Sequence, residues 1–176
     1  MITQALIQEH HDECETTKMT VPKGPWTTEP NRINFKSHGL DCMLVRHSRS
    51  LHWCGYVGVP ASHPDFGKDW GDVAYRVHGG ITYAKACQHH ICHITDDPED
   101  KTWWFGFDCA HAGDLSPTSI KWNEEWAKKW EAEHGRKPIG CDDSYRDVAY
   151  VKRETQRLAK QVAHRAMQTY LKEALA

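Results

Sequence analysis

Two carboxylates and a histidine directly follow a run of aromatic residues in WWFGFDCAHAGD, residues 103–114. Asp108, His111 and Asp114 are spaced by three residues, and their side chains can bind a metal ion, exchange a proton or hold a polar ligand. Because aromatic side chains favour a core, we expect the run before Asp108 to anchor a strand. The polar trio should then lie on a short loop at the strand end, where functional sites are commonly built.

A second segment, VHGGITY, ends a predicted strand in a histidine and two glycines. Paired glycines permit positive φ and leave backbone N–H groups uncovered, which suits an approaching anion or carbonyl oxygen. A tight turn with an exposed histidine is the simpler interpretation when this segment is taken alone. The candidate ligand-binding residues here are His78, Gly79, Gly80, Thr82 and Tyr83.

A third segment, GYVGVPASHPDFG, also follows a strand with a loop that carries His63 and Asp65. Its prolines alone explain a loop of this form, so a purely structural role is equally simple. A ligand that contains a base would also need aromatic faces in its pocket. We assign those faces to Trp53, Trp70 and Tyr83.

Cysteines and histidines are concentrated in CQHHICH, residues 87–93. Thiolate and imidazole ligands could hold a structural zinc ion with Cys87, Cys92 and Cys109 as its cysteines. The Cys-x₄-Cys spacing lacks a partner pair, however, so buried free cysteines beside surface histidines are favoured. The total of seven cysteines is odd and no export signal precedes them, which predicts reduced thiols in a cytoplasm.

Bulk composition excludes two classes of partner. The 22 Lys and Arg residues nearly balance the 24 Asp and Glu residues, so the chain lacks the positive charge that long nucleic acids attract. No apolar run approaches the roughly 20 residues of a membrane span, and the first residues do not form a signal peptide. We therefore expect a cytoplasmic protein with neither long nucleic acid nor membrane as partner.

The elements that must position these residues predict an α+β fold in a single domain, 1–176. Short β-branched or aromatic runs separated by irregular gaps indicate a mostly antiparallel sheet over about residues 42–110. Residues 1–40 are predicted to be an irregular arm, 41–115 the β-rich part with the site loops, and 116–176 the helical part. The predicted strands are 42–47, 52–60, 73–79, 91–95 and 102–108.

Two helices are predicted in the last part of the chain. Trp122, Trp126 and Trp130 are four residues apart, which places them on one helical face, and Gly135 is a plausible stop. We expect that tryptophan face to be core. The last helix should begin after a Ser144 cap and run to Leu171 or beyond, about 40 Å. Its apolar edge comprises Val148, Val151, Leu158 and Val162. Because that length exceeds one small sheet, the surplus is expected to pack on a second copy as a homo-oligomer.

Four segments together carry a resemblance: LHWCGYVGVPASHPDFG, VHGGITYA, WWFGFDCAHAGD and YRDVAYVKRETQRLAKQV. They resemble a family of small proteins of unassigned role encoded by tailed bacteriophages, notably those of actinobacteria. The resemblance covers about residues 42–165 and is most specific in the WWFGFD block. It implies a virus-encoded accessory protein that acts in the host cytoplasm, and it carries no enzymatic activity over.

Three functions remain open at this point. The first, slightly favoured, is binding and sequestration of a small nucleotide-like ligand, such as a cyclic nucleotide or an ADP-ribose-type immune signal; it needs no cofactor. The second is a metal-dependent hydrolase of a small phosphate- or nucleotide-containing substrate. Its divalent metal would be held by Asp108, His111 and Asp114 with His78 or His63. The third is inhibition of a host protein through the helical face.

Overall fold

The computed structural model describes residues 21–88, 91, 101–138 and 143–175. Within them, five strands form one antiparallel sheet in the spatial order β1-β2-β3-β5-β4. With the helices that follow, the sheet confirms the predicted α+β class and the long last helix. The strands are β1 Arg32–Ser37, β2 Leu40–Arg46, β3 Trp53–Val59, β4 Tyr83–Ala86 and β5 Trp103–Asp108.

Two α-helices follow the sheet, α1 over Ile120–His134 and α2 over Val148–Ala174. The 27 residues of α2 span about 40 Å at 1.5 Å per residue. Its first half packs across β2 and β3. Three of its large apolar side chains are fully buried there, which stabilises the fold by roughly 5–9 kcal/mol before conformational entropy is subtracted. These side chains are Val151, Leu158 and Val162.

The core lies between the sheet and α2. Gly55 in the middle of β3 lets the two layers approach, because a Cβ atom there would overlap the side chains of Thr155 and Phe107. The opposite face of the sheet is also buried, at positions that alternate with the first set. The α2-facing core includes Leu44, Trp53, Val57, Phe105 and Phe107, and the opposite face includes Met43, Val45, Tyr56 and Trp104.

Two predictions about the strands are wrong. Part of the predicted irregular arm forms β1, because Ile33 pairs with Leu44 and adds an edge strand to the sheet. Conversely, residues 73–79 form no strand: Gln161 of α2 accepts from the Arg76 N–H and donates to the Arg76 carbonyl, replacing a strand partner. The predicted strand 91–95 lies outside the described residues except for Ile91, which forms an isolated bridge.

The predictions for the helix ends and for the tryptophan face need correction as well. The cap of α2 is Asp147, whose carboxylate accepts from the Tyr150 N–H, and Ser144 instead bridges to Asp114 through its backbone. Gly135 does end α1, with φ of +66°. The tryptophan face is not core, since α1 has no buried residue and Trp122 is 67 % exposed. Trp126 and Trp130 pack against each other, and the Trp130 ring stacks on His134 of the same helix.

In the described part of the chain, no helix combines the length and apolar character that crossing a membrane requires.

Candidate functional site

The loop after β5 holds the predicted polar trio at the end of the sheet. The residue after β5 is still hydrogen-bonded to the neighbouring strand β3, because the Cys109 N–H donates to the Trp53 carbonyl at 2.9 Å. It then turns so that the Asp114 N–H donates to the His111 carbonyl, also at 2.9 Å. The aromatic run therefore anchors the strand and the polar residues follow it on a short loop, as the sequence predicts.

His78 reaches the same place from the extended segment that lies along α2. Its backbone N–H donates to the Glu154 carboxylate at 3.0 Å. Gly79 follows with φ of +64°, and a Cβ atom there would overlap the ring of His111. Gly80 has positive φ too, but its N–H donates to the Val77 carbonyl within a turn. The glycines thus bring the backbone close to His111, and the Gly80 N–H is occupied in that turn.

Asp114 is the centre of the site. Its side chain is 1 % exposed, and one oxygen accepts from the His78 Nε2 at 2.7 Å and from the His111 N–H at 3.0 Å. The other oxygen accepts from the Arg146 Nε at 2.7 Å. Burial alone would raise the pKa of Asp114, but the hydrogen bonds from Arg146, His78 and the His111 backbone lower it below its ordinary value. The carboxylate is therefore ionised at neutral pH.

His78 links Asp114 to α2. Its Nε2 donates to the carboxylate, and its Nδ1 forms a hydrogen bond with the Tyr150 hydroxyl at 2.9 Å. The ring is positioned from both sides, since both nitrogens have partners.

His111 contributes a nitrogen that has no hydrogen bond. Its Nδ1 is buried, 3.7 Å from the nearer Asp114 oxygen and 3.8 Å from Asp108. The rings of His111 and His78 are 5.5 Å apart. One ligand atom each from His78, His111 and Asp114 lies within 4.8 Å of the others. We call these three residues the His–Asp cluster. Two imidazoles and one carboxylate form a common ligand set for transition metals.

Asp108 borders the His–Asp cluster without belonging to it. Its carboxylate accepts from the Thr82 hydroxyl at 2.8 Å and from the Ala110 N–H at 3.1 Å. Thr82 therefore lies next to the cluster through Asp108. The ring of Tyr83 packs edge-to-face on Tyr56, on the sheet face opposite α2. No described contact joins it to the cluster.

Three other predicted site residues lie away from the cluster. Trp53 is fully buried in the core, so it offers no ring face to a ligand. Both ring nitrogens of His63 are occupied by backbone groups, the Val162 carbonyl and the Asp65 N–H, so His63 holds its loop on α2. Trp70 is exposed on a 3₁₀ turn, and no described contact joins its ring to the cluster.

The zinc set of Cys87, Cys92 and Cys109, the less favoured interpretation of the sequence, lacks one of its thiolates. Cys87 is disulfide-bonded, so it offers no thiolate, and it is an exception to the expectation of reduced cysteines. Cys109 is a free thiol in the core, and burial, helped by the charge of Asp114, strongly raises its pKa. Cys92 lies outside the described residues.

Sequence reasoning missed the contribution of α2 and of the segment that leads into it. Arg146, Tyr150 and Glu154 each bind a residue of the strand-end loops. They are four residues apart in sequence, but Arg146 lies before the helix, so only Tyr150 and Glu154 share a helical face. That spacing of polar residues was the available signal. Nothing in the local pattern distinguishes it from a solvated face.

Comparison of the chain with protein-family models, with curated proteins and with solved structures finds no match. The resemblance to phage proteins therefore stays a prediction.

Proposed function

We propose that the His–Asp cluster binds a divalent transition-metal ion and that the protein uses it to hydrolyse a small phosphate-containing substrate. The observation that carries the proposal is the gathering of one ligand atom each from His78, His111 and Asp114 within 4.8 Å, together with a buried His111 Nδ1 that has no hydrogen bond and lies 3.7 Å from Asp114. A buried polar atom without a partner costs about 1–3 kcal/mol. A metal ion would supply the missing partner.

The surrounding contacts suit the ligand roles. His111 would bind through Nδ1, Asp114 through the oxygen that faces both histidines, and His78 through Nε2. His78 would then carry its proton on Nδ1 and donate it to the Tyr150 oxygen, the kind of second contact that metal-bound histidines make. Arg146 would keep its bond to the other Asp114 oxygen. Three protein ligands leave a fourth position for water, as in catalytic zinc sites.

Asp108 gives such a centre a candidate base. A metal held by the cluster would supply activation of a bound water. Asp108, whose Oδ1 lies 3.8 Å from His111 Nδ1, would take the proton from that water. The water oxygen would bond to phosphorus as the phosphorus–oxygen ester bond breaks, and the proton would pass to the leaving alkoxide, so that water and ester give phosphate and alcohol.

The first test is metal content after chelation and zinc titration. We expect one Zn²⁺ per chain in the wild type, and loss of binding in His111→Ala and Asp114→Asn. His164→Ala is the matched control, because His164 is exposed on α2 and distant in sequence from the cluster. Hydrolysis of p-nitrophenyl phosphate and of its bis ester is then measured with Zn²⁺, Mn²⁺ and Mg²⁺. A chain that binds none of these ions and stays inert with all three contradicts the proposal.

Sequestration of a nucleotide-like ligand is the second candidate. It is favoured by the saturation of Asp114, whose oxygens already accept from three donors without an ion. Histidine and arginine donors arranged in this way could hold an anion and leave it unchanged. Cyclic nucleotides and cyclic ADP-ribose isomers are the probes, with binding measured by calorimetry. Mass spectrometry of the heated complex separates the two candidates, since a sequestering protein returns the ligand intact and a hydrolase alters it.

We further propose a homo-oligomer that acts as a phage accessory protein in the host cytoplasm. The oligomer is supported by apolar side chains that remain exposed on the second half of α2, which are Met167, Tyr170 and Leu171. Light scattering should give a mass at least twice the 20.3 kDa of one chain. A monomer at tens of micromolar, on the order of a weak dissociation constant, would exclude it. The exposed tryptophan face of α1 would serve the third alternative, inhibition of a host protein.

A further inference from the structure

We infer that the substrate docks a phosphate group on two arginines that approach the Tyr150 ring beside the His–Asp cluster. Arg146, Tyr150 and Arg153 are here called the phosphate edge. The inference rests on the proposed function for its catalytic part, because it names the substrate class of that same site. The docking itself is a separate property and is tested separately.

Arg146 uses only part of its guanidinium group to bind Asp114. Its Nε is bound to Asp114, and its guanidinium lies 5.0 Å from the centre of the Tyr150 ring. Its two terminal nitrogens have no hydrogen bond or ion pair among the described residues. Its side chain is 30 % exposed. Arg146 can therefore hold the site carboxylate and still present N–H groups to an anion.

Arg153 approaches the same ring from the next part of the helix. Its guanidinium lies 5.8 Å from the Tyr150 ring centre, and the residue is exposed. Arg146 lies two residues before α2 begins and Arg153 lies on its second turn, so what the two side chains share is their approach to the Tyr150 ring. The adjacent Glu154 does not neutralise it, because that carboxylate accepts from the His78 N–H and lies near Arg157. Within the described segments, Arg153 has no acidic partner.

The Tyr150 ring, which both arginines approach, connects this edge to the cluster. The Tyr150 hydroxyl is hydrogen-bonded to His78 Nδ1, and the other nitrogen of His78 faces Asp114. An anion held by the guanidinium groups would therefore lie beside the proposed metal ligands. Guanidinium groups match phosphate oxygens through paired N–H donors. This chemistry selects a phosphate monoester or a terminal nucleotide phosphate over a neutral ester.

The experiment measures binding of inorganic phosphate and of p-nitrophenyl phosphate by calorimetry to wild type and Arg153→Gln. We expect the variant to bind each about tenfold more weakly, the effect of one charge-assisted contact. Its zinc content should be unchanged, because Arg153 contacts none of the proposed ligands. Lys172→Gln removes the same charge from the far end of α2 and should bind like wild type. If hydrolysis is detected, Arg153→Gln should raise KM and leave kcat nearly unchanged.

The outcomes separate docking from catalysis. Equal phosphate affinity in Arg153→Gln and Lys172→Gln overturns the inference, and so does an absence of phosphate binding in wild type. Binding that depends on Arg153 in a chain that takes up no metal supports the docking and overturns the hydrolase. A metal-loaded hydrolase whose KM is indifferent to Arg153 keeps the proposed function and overturns the phosphate edge.

Discussion

The substitution Asp114→Asn tests how far one carboxylate holds the candidate site together. The Asp114 side chain is almost completely buried and accepts from Arg146, His78 and the His111 backbone. These donors come from three separate parts of the chain. Asparagine keeps one acceptor oxygen but places an NH₂ group where the other oxygen stood. At least one of the three N–H donors would then face this NH₂ group and lose its acceptor. The charge that balances Arg146 is lost as well.

The expected cost follows from those lost contacts. Removing one partner of a buried ionic hydrogen bond and leaving a donor unpaired costs about 3 kcal/mol. For a chain of 176 residues, that corresponds to a fall in Tm of roughly 6–12 °C. Asp108→Asn is the matched control, because that carboxylate is 30 % exposed and should cost about 1 kcal/mol or less. Thermal unfolding followed by circular dichroism at pH 7 compares the two variants directly.

The pH dependence gives an independent check. The pKa of Asp114 in the folded chain is lowered from an ordinary value of 3.8. Its contribution to stability is therefore fully present above that value and is lost as the pH falls through the folded pKa. The difference between wild type and Asp114→Asn should stay constant from neutral pH to about pH 5 and shrink below about pH 4. Equal stability of Asp114→Asn and Asp108→Asn at pH 7, or a difference that persists unchanged in acid, would refute the reasoning.

Three further substitutions test the supporting contacts. Gly79→Ala, at positive φ against the His111 ring, should destabilise by at least about 1–2 kcal/mol in urea unfolding; Gly71→Ala, with open space around it, should be close to neutral. Glu29→Gln weakens a partly buried carboxylate that holds Arg46 and other donors, and should cost about 2–3 kcal/mol in the same assay. Tyr150→Phe removes the hydroxyl that positions His78, so zinc affinity should fall about tenfold with Tm little changed; an unaltered zinc affinity would contradict that role.

Local sequence predicted the strand-end loop correctly because its determinants are local. The aromatic run and the polar residues after it are contiguous, and a strand followed by a turn delivers them together. The same reasoning failed for His63, whose loop has a similar composition. What differs is the partner: the Val162 carbonyl and the Asp65 N–H occupy the ring of His63, whereas His111 keeps one nitrogen unpaired. Composition does not distinguish a histidine that is satisfied by backbone from one that is available.

Contacts over long sequence separations were beyond prediction from a single sequence. His78 and Asp114 are 36 residues apart, and Tyr150 is 72 residues from His78. Their meeting depends on the order of the strands and on how α2 lies across β2 and β3. Neither follows from periodicity. The error at residues 73–79 has the same origin, because alternating apolar residues suit a strand and an extended segment packed on a helix equally well.

The position of Asp114 implies that some substitutions at the candidate site change both the stability of the fold and ligand binding, whereas others change ligand binding alone. Asp114 joins the loop after β5, the segment before β4 and the approach to α2, so its removal should weaken both stability and any metal binding. Arg153 lies outside this junction and joins none of these segments. Changes there should alter ligand binding alone. Since a bound ligand adds stability in proportion to RT ln(1 + [L]/Kd), zinc should stabilise the Arg153→Gln chain as much as wild type and the Asp114→Asn chain hardly at all. A difference between these two responses would locate the function in the cluster and not merely in the integrity of the sheet end.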